Sequence, residues 1–251
     1  MPSDQPVTAA LIWADERLVV IAKPAGISLA TRRADPNAAV QRLIAALPQA
    51  ERASFGLGDD PLWLVHRLDV ATSGLVLVAR DPDTHRDLAL ALSQRRIAKT
   101  YLALVWGRPR PATGEWNEPL GPDRSDRRRM CVDPAGQPAR SAYRVIASAP
   151  YASVIALVPH TGRTHQLRVH AAHAGHPVIG DDLYGGPREH GVKAADLRRA
   201  LSPRRGLLHA WRLVVPGFGP AGELAFEAPL PADFAAALAA LGIPGPGDSE
   251  I

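Results

Sequence analysis

Cysteine is nearly absent from this chain: Cys131 is the only one in 251 residues. A lone thiol cannot close an internal disulfide, and it supplies no set of sulfur ligands for a zinc ribbon. Long apolar runs are missing as well, and none approaches the roughly eighteen residues that a membrane span needs. The opening residues, MPSDQPVTAALIWADE, lack the basic-then-apolar order of a signal peptide. Lysine is scarce: 3 of the 29 basic residues are lysine and the other 26 are arginine. These absences predict a soluble, cytoplasmic protein without a membrane partner.

What is present is ordinary for a globular chain, with 46% apolar and 22% charged residues and enough length for one large domain or two small ones. A net charge of +4 is a mild bias toward polyanions. Arginine forks onto phosphates and stacks on bases, so its excess suits RNA. A GC-rich coding sequence, which raises Ala, Arg, Pro and Gly together, would give the same excess.

Short apolar runs read as strands at 11–13, 18–22, 75–80 and, with a Gly stop, 98–107. SAYRVIASA and ASVIALVP predict a hairpin around Pro150-Tyr151, and LLHAWRLVV and ELAFEAPL two further strands. Helices are expected over 38–47, stopped by Pro48, from Pro82 to about Arg96, over AADLRRAL, and after Pro231. The stretch from Arg108 to Arg140 is too polar to promise much core and reads as strands with a long exposed loop. Strands outnumber helices and often follow one another directly, which predicts α+β with a mixed, largely antiparallel sheet flanked by helices and loops.

Two stretches carry chemistry. In LVHRLDVATSGLVLVAR, 64–80, a strand end runs into His66-Arg67-Leu68-Asp69, then a small-residue turn, then a buried strand. A carboxylate on a loop between core strands is rigidly held and can face a cleft. An Asp that only pins the turn through Thr72 and Ser73 fits the same spacing. The second stretch, HTGRTHQLRVHAAHAGHPVIGDDLYG at 160–185, holds five of nine histidines. His170, His173 and His176 fall three apart, and a metal reading would add Asp181 or Asp182. Zinc helices pair histidines at i, i+4 with a carboxylate base, which this stretch lacks. No metal site is expected.

HRLDVATSGL resembles the HRLDxxTSGL signature of the RluA family of pseudouridine synthases, which isomerise selected uridines in structured RNA. LVVIAKPAGI is similar to that family's first motif, AKTYLALVWG to its second, and the histidine stretch to its third. LLHAWRLVV with LAFEAPLP resembles its C-terminal strands. The likenesses fall in family order over roughly residues 10–235. The resemblance implies the pseudouridine synthase fold over 10–243, with 1–9 as an extension and 244–251 as a disordered tail. A small RNA-binding module that precedes the first motif in many relatives is not expected here. After KPAG the chain reads ISLATRRADP, where the family pattern has valine, histidine and proline nearby.

The resemblance also implies roles. Asp69 would be the catalytic carboxylate, Tyr101 would stack on the base and help remove the C5 proton, and Arg168 would pair with Asp69. Leu167 would pack beneath the target base and Arg67 would fill the space left when the uridine flips out. His66, Lys99 and Thr72 join them as RNA contacts. The residue types suit the reaction: rejoining a base to the same ribose needs a carboxylate, a flipped base needs an aromatic platform and a filler, and a guanidinium keeps a partly desolvated Asp ionised. Nothing is oxidised and no group is transferred in, so no cofactor is expected. The expected partner is a tRNA or rRNA stem-loop, not DNA, and the expected state a monomer. Two rival readings are an inactive RNA-binding protein of the same fold and a histidine-cluster metal-dependent hydrolase.

Smaller features are weighed the same way. Trp13, Trp106 and Trp211 are expected in the core, and Trp63 and Trp116 in core or base stacking. Arg127–Arg129 could grip phosphate or line a solvated loop. Lys23 could touch phosphate or hold its own turn.

Overall fold

The computed structural model describes residues 8–30, 37–58, 60–186, 188, 191–218 and 222–245. Most of the expected N-terminal extension, most of the expected tail, and positions 31–36 of the stretch that departs from the family pattern lie outside the described residues.

In chain order the first elements are β1 (Ala10–Ala14), β2 (Leu18–Lys23), α1 (Ala38–Ala45), α2 (Gln49–Ser54), β3 (Trp63–Leu64), β4 (Ser73–Ala79) and α3 (Pro82–Ser93). The middle of the chain forms β5 (Ala98–Trp106), β6 (Thr113–Trp116), β7 (Leu120–Pro122), β8 (Met130–Val132), β9 (Ser141–Ala149) and β10 (Ala152–Pro159). Then come α4 (Gln166–His173), α5 (Ala195–Ala200), β11 (Leu208–Pro216), β12 (Glu223–Glu227) and α6 (Ala232–Ala240). The fold is α+β, as the sequence predicts. No helix among the described residues is long and apolar enough to cross a membrane.

The chain gathers into two compact units, 1–98 with 210–229 and 99–209 with 230–251. In the first, β2 pairs antiparallel with both β1 and β4, β3 pairs with β4, and β12 with β11. The continuous apolar run of β4 is buried along its whole length, as a central strand covered on both faces must be. Leu75, Leu77 and Ala79 share one core cluster with Leu18 and Val20 of β2, Leu88 of α3, and Leu213 and Phe226. Asp81 caps α3: its carboxylate accepts from the Thr84 N–H and hydroxyl at 2.7 and 2.6 Å, and Pro82 opens the first turn.

In the second unit β10 pairs antiparallel with β5 and β9, β9 with β6, and β7 with β8. Its core cluster joins Ala103 and Val105 of β5, Ile155 and Leu157 of β10, and Leu167 and Ala171 of α4.

Three sequence expectations are corrected, and one unexpected helix is added. The helix opened by Pro82 ends at Ser93, where Gln94 caps it and Arg95 turns left-handed at φ 59°. Helix α2 was not expected, because its six residues bury no side chain and leave no apolar stripe to read. Trp13 is 42% exposed: the β1–β2 register shifts between Leu11 and Trp13, Leu11 and Ile12 are both half-buried, and Trp13 stands outward near Phe226 at 6.1 Å. The polar stretch 108–140 does supply core, since Trp116 is buried and stacks on Tyr143 at 4.6 Å and Leu120 is buried with Val169. Trp106 and Trp211 are buried as expected.

Gly74 sits where the fold tolerates nothing larger. It lies opposite Lys23 in the β2–β4 register at φ +117°, and a Cβ there would overlap the Ala210 carbonyl. Left-handed strain and backbone overlap each cost about 1–3 kcal/mol. Gly74→Ala is therefore expected to lose about 3 kcal/mol or more in urea unfolding; a loss under about 1 kcal/mol would contradict the close approach.

Candidate active site

The Asp69 loop is built from main-chain bonds. Val65 N–H donates to the Leu77 carbonyl at 3.0 Å, and the Leu77 N–H donates back to His66 Nε2 at 3.2 Å. His66, half-buried, thus extends the ladder by one side-chain bond, with Nε2 as the acceptor and any neutral-form proton on Nδ1. Leu68 is buried, while Arg67 is exposed and makes no hydrogen bond or ion pair with the described residues. The Thr72 N–H donates to the Asp69 carbonyl at 3.1 Å and closes the turn, with Thr72 itself buried. Asp69 is half-buried.

Lys23 anchors this loop. It is 1% exposed, and its ammonium donates to the carbonyls of Pro24 at 2.9 Å, Ile27 at 3.1 Å and Val70 at 3.4 Å. The Gly26 N–H donates to the same Val70 carbonyl at 2.7 Å, from a left-handed φ of +95°. The KPAG turn and the residue next to Asp69 are therefore bound through one buried cation. Of the two roles the sequence allows for Lys23, holding the turn is the one these bonds perform.

In the second unit, Lys99 and Tyr101 are both half-buried on β5, two apart and so on one face. Burial holds the Lys99 ammonium below its ordinary pKa. Tyr101, opposite Leu157, leans on the core cluster that contains Leu167. Leu167 is thus brought to Tyr101's cluster as a core side chain.

Arg168 on α4 is held by a residue whose pairing the sequence did not reveal. Its Nε and Nη2 donate to Asp181 Oδ2 and Oδ1 at 2.6 and 2.8 Å, a fork-on-fork pair. The Asp181 side chain is 1% exposed, and Oδ1 also accepts from the N–H groups of Leu183 and Tyr184 at 3.1 and 3.2 Å. The Tyr184 ring lies 5.0 Å from the guanidinium carbon. Tyr184 Oη accepts from the Met130 N–H at 2.8 Å and bonds His165 Nδ1 at 2.8 Å, and burial raises its pKa. A buried Asp between two glycine-bounded turns needs a cation, and that was the available signal; its partner, thirteen positions earlier, was not legible.

The five histidines of the motif serve separate purposes. His160 approaches Glu115 at 3.8 Å, His165 meets Tyr184, His173 is exposed, and His176 Nδ1 bonds the Trp106 carbonyl at 2.9 Å. His170 is buried between Ser141 Oγ and the Glu118 carbonyl, each at 2.9 Å. Beside it Gln166 bonds Ser141, the Arg140 carbonyl, Thr161 and the Arg163 N–H. No group of three or more His, Cys, Asp or Glu among the described residues could hold a metal ion.

Residues 17–173 match the model of a family described as RNA pseudouridylate synthase. This chain belongs to that family. Its relatives place it among the RluA-type RNA pseudouridine synthases, which are isomerases. It is 35% identical over 231 residues to the dual-specificity RNA pseudouridine synthase RluA of Escherichia coli K12, covering 89% of this chain and 93% of that one. It is 41% identical over 214 residues to an uncharacterized RNA pseudouridine synthase of Chloroflexus aurantiacus, covering 84% of this chain and spanning 62% of that protein's length. Human RNA pseudouridylate synthase domain containing 4 has the same fold, with a TM-score of 0.75, 25% identity and 95% of each chain covered.

Two outcomes follow for the synthase. Lys23→Met would leave three carbonyls without their charged donor, and urea unfolding should show a loss of about 3 kcal/mol; an unchanged midpoint would contradict the anchor. Burial holds His170 below its ordinary 6.5. The unfolded chain then takes up a proton as pH falls through 6.5 while the folded imidazole stays neutral, so His170 lowers stability from about pH 6.5 down toward its depressed native value. Urea midpoints at pH 7.5 and 5.5 should therefore differ less in His170→Gln than in the unaltered chain.

Proposed function

We propose that this synthase isomerises a specific uridine in a structured tRNA or rRNA stem-loop to pseudouridine, flipping the base out of its stack, with Asp69 as the catalytic carboxylate and no cofactor. The observation that carries the reading is the Asp69 loop: a half-buried carboxylate in the family's HRLDxxTSGL signature, tied to the core through Lys23, Gly74 and His66. Such anchoring suits a group that must act with little reorganisation.

The remaining roles follow the resemblance. Tyr101 stacks on the base and helps take the C5 proton, Arg168 pairs with Asp69, and Leu167 supports the base. Arg67, exposed on the loop, fills the space the flipped uridine leaves, and unstacking costs only a few kcal/mol, so one side chain can offset much of it. Lys99 serves as an RNA contact whose charge is partly desolvated, Thr72 as a buried support of the loop, and His66 through its Leu77 bond more than through RNA. The protein acts as a cytoplasmic monomer on RNA, not DNA.

The test is tritium release from 5-³H-uridine RNA, prepared from cells lacking the protein, with chelator present. The wild type should release tritium from a tRNA or rRNA fraction and Asp69→Asn should not. Release by both proteins would remove Asp69 from the chemistry; release by neither would favour an RNA-binding protein without turnover.

A further inference from the structure

The group that the family reading leaves without a role is Asp181. It is the carboxylate of a closed ring of contacts in the second unit: Arg168 forks onto it, two turn N–H groups bind it, and Tyr184 lies under the guanidinium while bonding His165 at the start of α4. The ring therefore begins and ends on the helix that carries Arg168.

The turn that presents Asp181 is itself constrained. The Gly185 N–H donates to the Asp181 carbonyl at 2.7 Å, and a Cβ on Gly185 would crowd that carbonyl. Gly180 stands at φ +79°, where a Cβ would overlap the Arg205 carbonyl. Arg205 in turn forks onto Asp233 at 2.6 and 2.8 Å. A buried carboxylate on so fixed a turn is a poor metal ligand, because its lone pairs already face a guanidinium and two amides. It is well suited to hold a planar cation still: Asp181 takes the Nε–Nη2 edge of Arg168.

We propose that Asp181 is a positioning residue, whose buried carboxylate, with the Tyr184 ring beneath the guanidinium, holds Arg168 in one orientation for the isomerisation. This rests on the reading of Arg168 as a group that serves the reaction. Asp181 touches neither substrate nor reacting atoms in this role and acts only through Arg168.

The experiment measures tritium release under single-turnover and steady-state conditions for the wild type, Asp181→Asn, Arg168→Lys and the double variant, on the 5-³H-uridine tRNA and rRNA fractions. Asp181→Asn should lower kcat by about tenfold or more with KM changed less than about threefold. In the Arg168→Lys background, where the fork is already gone, the same substitution should cost less than about threefold. A role in general stability would not produce that loss of additivity. Should Asp181→Asn fail to fold by circular dichroism, Asp181→Glu, which keeps the charge and moves the fork, carries the same comparison. A kcat within about threefold of wild type, or costs that multiply in the double variant, would overturn the proposal. An active wild type whose kcat is unmoved by Arg168→Lys would instead overturn the reading of Arg168, and the proposal with it.

Discussion

The buried ammonium of Lys23 holds the geometry of the first unit's functional loop. Taking a cation out of water is costly, and Lys23 donates to carbonyl dipoles drawn from two segments of the chain. Because one of those carbonyls belongs to Val70, the turn after β2 and the loop before β4 cannot move independently. Gly74 makes this possible by standing opposite Lys23 with no side chain, so that the backbone at Ala210 can approach. The conformational freedom of Asp69 is thus removed by neighbours that carry no chemistry themselves.

The second unit solves the same problem with the opposite charge pattern. Arg168 is matched by a full carboxylate, and the leftover lone-pair capacity of Asp181 is filled by turn amides. The histidines around it are spent on packing and on carbonyls: His170 and His176 each bond a main-chain oxygen far away in sequence. This is why a cluster that looks metal-like in one dimension has no common focus in three.

Much of this was legible in the sequence, for local reasons. The β4 run, the Asp81-Pro82 helix start and the β9–β10 hairpin depend on short-range patterns, and the motif order carried the family. The buried face of α4, with Leu167, His170 and Ala171, followed from helical spacing. What was not legible depended on partners distant along the chain. Lys23 reads equally as a phosphate contact or a turn residue until Val70, 47 positions on, is seen to accept its bond. Asp181 read only as a possible metal ligand, since spacing does not say which cation a buried carboxylate will meet. Trp116 hid its burial inside a polar stretch because Tyr143, its stacking partner, lies on another strand. Trp13 erred the other way: a register shift between Leu11 and Trp13 leaves it outward on an edge strand, and aromatic character alone does not decide a face.

Conversion of uridine to pseudouridine at defined positions through Asp69 is the proposal on which the other residue roles depend. The most direct measurement is carbodiimide modification and primer-extension mapping of tRNA and rRNA from cells lacking the protein, after incubation with the purified wild type or with Asp69→Asn. A discrete new stop in a stem-loop with the wild type, and none with the variant, is the predicted result. The same stop with both proteins, or no new stop in any RNA, would contradict it.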